Sequence, residues 1–427
     1  MITAVVIALL TCVCLIVSVL LFPKIKLGKL IFATYWPICL LGAFFMLIFG
    51  GISLSEVFSG LTASSSVNPL KILILFISTT LLSVYLDEVG FFRYLAVLAT
   101  KKAKNSQISL FLILYLVVSI LTVFTSNDVV ILTFTPFICY FAKHTNINPI
   151  PYLVAEFAGA NTWSMMLIIG NPTNVYLATS AGVDFISYFK VMALPTLFAG
   201  VVQLLVLLLL FRKPLKTPLQ ATDGELPLPD FNRAIVGLIH LIVCLILLVI
   251  SSYIGLEMWL VCLLCALSLS ACVTIVSFGK NERPVALGKT VCRLPWTLIP
   301  FVLSMFVIVL ALNKQGFTTI LADFLGESNH LFSYGVSSLI ACNVMNNIPM
   351  SVLFSQITST LPAVYATIVG SNVGAFLTPI GALAGIMFTG LIAKQEIKYS
   401  FAKFALYGLL IALPTLTASL LGLALIL

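Results

Sequence analysis

Thr125-Ser126-Asn127-Asp128 and Gly170-Asn171-Pro172-Thr173-Asn174, with Gly159-Ala160-Asn161 between them, lie inside the stretch Leu121 to Val175 and decide how the chain is read. They put small, amide-bearing residues and one carboxylate into sequence that is otherwise almost unbroken hydrocarbon. Such groups are unfavourable in lipid, so at membrane depth they face protein, water or a passing solute. The pattern returns in the second half. Asn343-Val344-Met345-Asn346-Asn347-Ile348-Pro349 answers the first run, and Gly370-Ser371-Asn372-Val373-Gly374 with Thr378-Pro379-Ile380-Gly381 answers the second. Two Gly/Pro-interrupted polar segments at matching places in two halves point to the central site of a secondary transporter.

Composition supports this reading. Of 427 residues, 61% are hydrophobic and 8% charged, against about 25% charged in soluble domains. The expectation is an all-α polytopic membrane protein. The net charge of +8 is spread over short loops, which reads as the positive-inside bias and not as a nucleic-acid patch. Nearly all of the ten Cys fall in apolar segments, where a thiol behaves as a small hydrophobe. Cys262 and Cys265 form a C-x-x-C without a second pair, so packing is expected and no metal site. Met1 to Phe22 reads as a first span, not a removable leader.

Apolar runs of about 20 residues predict spans near 2–22, 30–50, 70–86, 150–178, 186–211, 234–253, 258–278, 296–312, 362–391 and 400–427. Two stretches, 108–142 and 331–361, are too long for one span, and each carries an Asn-rich run near its middle. Both are read as re-entrant hairpins. With them so placed, 19 of the 22 Lys and Arg fall on one face, leaving Lys71, Lys190 and Lys314 opposite. The basic loops and the Pro-rich linker 212–233 are then cytoplasmic, in an inner or plasma membrane, and both termini lie outside.

This placement makes the halves antiparallel. Residues 1–211 and 234–427 become inverted-topology repeats, each with five spans, one re-entrant hairpin and one interrupted helix (150–178; 362–391), and with amphipathic connectors at 88–104 and 314–328. No phosphate-binding G-x-x-x-x-G-K-[ST] is present and no enzyme chemistry is indicated. Energy is expected from a sodium or proton gradient, without other cofactor, or from a separate ATPase subunit.

The expected solute-binding residues are Ser126, Asn127, Asn161, Asn171, Thr173, Asn174, Asn346, Asn347, Asn372 and Thr378. At the first hairpin tip, Asn127 or Asp128 serves as a helix cap, or holds a cation or solute beside the helix end, and the two roles are compatible. Asp128 is the only carboxylate at either tip and the first candidate for ion coupling. Pro172 suits the first turn of a helix that restarts after the break, with its positive end toward the midplane; the alternative is a simple kink. Glu156 is a second coupling candidate that either relays protons or snorkels to the boundary. Asp87-Glu88 reads as a solvated helix end. His144, His240 and His330 receive no role, and Trp163 and Trp259 read as boundary anchors or packing.

At these residues the chain resembles the ion transporter superfamily and, within it, bacterial arsenite/antimonite efflux permeases. Leu86-Asp87-Glu88-Val89-Gly90-Phe91-Phe92, Asn127-Asp128 with Leu132-Thr133-Phe134-Thr135-Pro136, Met345-Asn346-Asn347-Ile348-Pro349 and Leu377-Thr378-Pro379-Ile380-Gly381-Ala382-Leu383-Ala384 carry the likeness. The resemblance implies a permease working by alternating access, with hairpin domains moving against a scaffold, often as a homodimer in the lipid bilayer. Asn161, Asn372 and Phe376 depart from the arsenite pattern. Gly170-Asn171-Pro172-Thr173-Asn174 is similar to the run in divalent-anion/sodium symporters and citrate transporters. The leading expectation is therefore movement of a small oxyanion or its neutral hydroxide, with arsenite/antimonite efflux first. Sodium-coupled uptake of a carboxylate or inorganic anion is the alternative, and a cation/proton antiporter or channel-like permease comes after it.

Overall fold

Each long apolar run folds as a helix, and the breaks fall where Gly, Pro and Asn interrupt it. The computed structural model describes residues 1–22, 24–27, 30–62, 68–103, 106–217, 230–326 and 330–427. The first half contains α1 (Ile2–Leu21), a two-stranded antiparallel hairpin of β1 (Lys24–Leu27) and β2 (Leu30–Ala33), α2 (Tyr35–Phe49), α3 (Leu54–Thr62), α4 (Pro69–Glu88) and α5 (Phe91–Lys102). There follow α6 (Gln107–Phe124), α7 (Asn127–Thr145), α8 (Ile150–Trp163), α9 (Pro172–Ser180) and α10 (Phe185–Leu210).

The second half opens with α11 (Phe231–Ile254), α12 (Met258–Gly279) and α13 (Val285–Arg293), then runs through α14 (Leu298–Lys314), α15 (Phe317–Leu325), α16 (His330–Met345) and α17 (Asn347–Phe354). It ends with α18 (Leu361–Gly374), α19 (Leu383–Lys394) and α20 (Phe401–Ala424). The order from α4 to α10 thus recurs from α14 to α20, element for element. Among the described residues, seven stretches are long and apolar enough to cross a membrane. Ile239, Ile246, Leu264 and Leu267 turn outward along α11 and α12, as lipid-facing side chains do.

Three sequence expectations are corrected. The span predicted from residue 30 begins at Tyr35, because the segment before it pairs as β1 and β2. The helices α3 and α13 are too short for a reading based on membrane-length runs and were missed. Asp87-Glu88 is not a solvated helix end. Arg293 donates to Asp87 Oδ2 at 2.6 Å and to Glu88 Oε2 at 2.8 Å, and Lys289 stands 3.6 Å from Glu88. The central part of the predicted linker, 218–229, lies outside the described residues, as does Lys104.

In each stretch predicted to be a hairpin, two helices meet at the Asn-rich run: α6 and α7 in the first, α16 and α17 in the second. The Tyr152 hydroxyl donates to Gln107 Oε1 at 2.9 Å, and Gly159 lies against the Tyr115 ring, so α6 and α8 run parallel. Thr135 and Asn127 of α7 bond Glu156 and Asn161 of α8 in reverse order. Consequently α7 runs back along α6. In the second hairpin the Tyr334 hydroxyl, near the start of α16, donates to Ile357 O beyond the end of α17. α17 has only 8 residues, so this second arm is shorter than α7.

Apolar burial discriminates little between helix–helix and helix–lipid contact, so close approach and hydrogen bonding decide the packing. Gly370 shows this. A Cβ there would fall 2.0 Å from Ser338 Oγ and 2.1 Å from Gly335 O, so only glycine lets α18 lie this close to α16. Across the halves, Phe157 of α8 stacks on Phe388 of α19 at 4.5 Å and meets Phe404 of α20 edge-on.

Candidate solute site

The first tip bonds α8 just ahead of the first break, the second tip bonds the second break, and Asn372 of α18 bonds the first break. At the first tip α6 stops at Phe124, and Ser126 is the N-cap of α7 but makes no side-chain cap bond. Neither Asn127 nor Asp128 is the N-cap, contrary to the capping expectation; both sit in the first helical turn. Asn127 is buried and donates through Nδ2 to Asn161 Oδ1 at 3.1 Å. Asp128 is half-buried, and among the described residues no cation pairs with it.

The first break spans residues 164–171. Asn171 caps α9 by accepting from Thr173 N at 3.2 Å and Thr173 Oγ1 at 3.1 Å, and Pro172 fills the first helical position as predicted. Asn174 turns back to the break, donating to Ser164 O at 2.8 Å and Leu167 O at 3.4 Å.

The second tip is built differently. Asn346 takes φ +76°, accepts from Ile348 N and donates to Ile380 O at 2.9 Å, while Asn347 N donates to Gly381 O at 3.0 Å. Here the tip holds carbonyls of the second break, which stay out of a helix until α19 starts at Leu383, well past Pro379. Thr378 Oγ1 donates to Asn343 Oδ1 at 2.6 Å, and Asn343 Nδ2 donates to Gly374 O at 2.9 Å.

Asn372 joins the two systems. Its Oδ1 accepts from Asn171 Nδ2 at 2.9 Å and Ser164 Oγ at 3.0 Å, and its Nδ2 donates to Asn174 Oδ1 at 2.6 Å. Ser164, Asn343 and Ser371 were not among the predicted site residues, although they stand next to or within the polar runs that flagged the others.

Against this network several buried oxygens have no partner among the described residues: Ser126 Oγ and Asn127 Oδ1 at the first tip, Asn347 Oδ1 at the second, and Ser371 Oγ beside Asn372. An unpaired buried acceptor is unfavourable by about 1–3 kcal/mol, which a hydrogen-donating solute or a cation would relieve. No Lys, Arg or His takes part in any of the bonds described.

Glu156 does not snorkel. It is 2% exposed in the middle of α8, with both carboxyl oxygens accepting from Thr135 Oγ1 at 3.1 and 3.2 Å. Trp163 Nε1 donates to the Tyr115 hydroxyl, part of a network with Gln203 and Thr162. Trp259 belongs elsewhere, in a cavity of about 350 Å³ where Lys71 and Trp259 both bond Glu257. Cys244, Cys262 and Cys265 are buried free thiols.

The model of the citrate transporter family, CitMHS, matches residues 1–361. An arsenical pump membrane protein of Escherichia coli is 25% identical over 373 residues, covering 82% of this chain and 85% of that protein. One from Yersinia enterocolitica is 26% identical over 377 residues, with the same coverage. In fold, the chain is similar to the Alcanivorax borkumensis YdaH transporter, with TM-score 0.57 and 12% identity over 99% of this chain and 98% of that one. These matches agree with the resemblance read from the motifs and point to a transporter rather than an enzyme, seated in a lipid bilayer and handling small substrates. The chain belongs to the citrate transporter family and is a multi-pass membrane transporter.

Proposed function

We propose that this chain is a secondary active transporter that moves a small oxyanion or its neutral hydroxide by alternating access, with arsenite/antimonite efflux as the leading assignment. The observation that carries the reading is the set of buried, unpaired oxygens on Ser126, Asn127 and Asn347 at the two tips. Ser126 and Asn127 stand at the start of α7, whose N–H groups receive no side-chain cap, and Asn347 opens α17. Such a site offers acceptors and donors together and, among the described residues, no fixed positive charge bonded to it. A neutral hydroxide, which both donates and accepts, fits it better than a fully ionised carboxylate, which only accepts. Asn161, Asn346 and Thr378 shape its walls, Asn171, Thr173 and Asn174 hold the restarted helix, and Asp128 and Glu156 couple transport to protons or sodium.

The proposal takes 1–211 and 234–427 as inverted repeats with the basic loops cytoplasmic in the inner membrane, both termini outside and a homodimer as the working assembly; a separate ATPase subunit is an additional energy source to test. A second reading, sodium-coupled uptake of a carboxylate, is favoured by membership of the citrate transporter family and by Gly170-Asn171-Pro172-Thr173-Asn174.

The test is flux into vesicles holding the purified chain under imposed proton and sodium gradients, with arsenite, citrate and sulfate offered in turn. Arsenite movement driven by a proton gradient without sodium supports the first reading. Citrate movement that requires sodium replaces it with the second, and no gradient-driven flux of any of the three overturns both.

A further inference from the structure

We infer that Asn372 is a positioning residue whose amide locks the two broken helices to one another and takes no part in holding solute. The inference rests on reading the breaks as the solute site and deepens that reading. A side-chain amide has two donor hydrogens and an oxygen with two lone-pair directions. In Asn372 all four are used within the protein. Oδ1 accepts from Asn171 Nδ2 and shares the single Ser164 hydroxyl proton with Asn161 O; Nδ2 donates to Asn174 Oδ1 at 2.6 Å and to Ile368 O of its own helix at 2.8 Å. Asn372 is 0% exposed, out of reach of bulk water. Asn127 and Asn347 each keep an unpaired oxygen and Asn372 keeps none. The polar residues therefore divide into a set that can take a ligand and a knot that sets where that set stands.

The knot also explains why an amide stands here in place of an acid. A carboxylate supplies the two acceptor positions but no donor, and it would oppose the lone pairs of Asn174 Oδ1. Only a protonated carboxyl could donate to Asn174; Ile368 O would keep its helical N–H partner. Asn372 thus gives the knot one hydrogen-bond pattern at every pH. Ionisable groups on the packed helices bond elsewhere: Glu156 to Thr135, Tyr152 to Gln107, Cys342 to Leu339 O and Tyr334 to Ile357 O. Tyr176 on α9 and Tyr407 and Lys403 on α20 make no hydrogen bond to the four knot residues.

The thermal midpoint of the purified full chain, followed from about pH 5 to about pH 8 across carboxyl titration, tests the inference without any solute. Asn372→Asp is expected to stay near wild type at the acid end and to fall several degrees below it as pH rises. An N372D midpoint that tracks wild type at every pH overturns the inference. Should N372D not fold, Ser164→Ala and Asn171→Ser, the latter keeping a capping oxygen, each leave the Asn372 oxygen one donor, and together they leave none. Their combined loss in midpoint is expected to exceed the sum of the single losses, and additive losses overturn the inference. Failure of vesicle flux would remove the functional reading while leaving these midpoints as they are.

Discussion

The Tyr152 hydroxyl bonds the Gln107 side-chain carbonyl at 2.9 Å, so the chain that departs at Gln107 comes back to the same level after two helices. That closure is what a re-entrant hairpin requires. In a chain freed of its ten native cysteines, Ser106→Cys and Asn148→Cys are expected to react with a membrane-impermeant maleimide from one and the same side. Labelling from opposite sides would make α6 and α7 a full crossing.

Among the described residues Asp128 has no cationic partner at the tip, and the buried Glu156 carboxyl bonds the Thr135 hydroxyl. Asp128→Asn is expected to abolish gradient-driven flux while leaving the thermal midpoint within a few degrees of wild type. Glu156→Gln keeps an oxygen for Thr135, so it should fold and lose the response of flux to a proton gradient. Flux that still follows the gradient in either variant takes that residue out of coupling.

The unpaired oxygens of Asn127 and Asn347 predict a binding effect from both tips. Each alanine substitution removes one hydrogen bond to solute, about 0.5–1.5 kcal/mol or roughly 2- to 10-fold in apparent KM. The double variant should approach the product of the two. An unchanged KM in both single variants would place the solute elsewhere.

Arg293 holds two carboxylates that are mostly buried, with Asp87 9% and Glu88 14% exposed at the side chain. Arg293→Ala strands Asp87 and leaves Glu88 with Lys289 at 3.6 Å, and should lower unfolding stability by roughly 1–3 kcal/mol. Arg293→Lys should recover only part, since an ammonium cannot reproduce the forked geometry. Chemical denaturation in detergent reads the difference, and full recovery by lysine would reduce the contact to simple charge attraction.

Glu56, in the short helix α3 outside the spans, is held by Lys314 and by the Ser53 N–H and hydroxyl, which bring its carboxyl from an ordinary 4.5 down to about 2. A lowered value stabilises the folded form above about 4.5, and the contribution is lost as pH falls toward about 2. Hydrogen exchange in α3 should therefore be flat from neutral pH to about pH 5 and faster, after correction for intrinsic rates, at lower pH. Lys314→Gln should weaken that acid dependence; an identical profile would discount the pair.

The sequence by itself determined the helical membrane architecture and the stretches where its helices break. Each is written in a local signal: apolar run length, a Pro172 that can only begin a helix, Asn pairs where a helix stops. It also marked most residues of the polar centre. Only the tertiary structure decided which of them are spent and which are free. Asn372 is saturated by residues of the other half, Asp87 and Glu88 meet Arg293 instead of water, Glu156 turns inward to Thr135, and Ser126 occupies the cap position assigned to its neighbours. The reason is physical: a polar group at membrane depth must find its partner within the protein. For Asp87, Glu88 and three of the four Asn372 bonds that partner comes from the far half of the chain, and for Glu156 from the neighbouring helix, neither of which spacing along the sequence records.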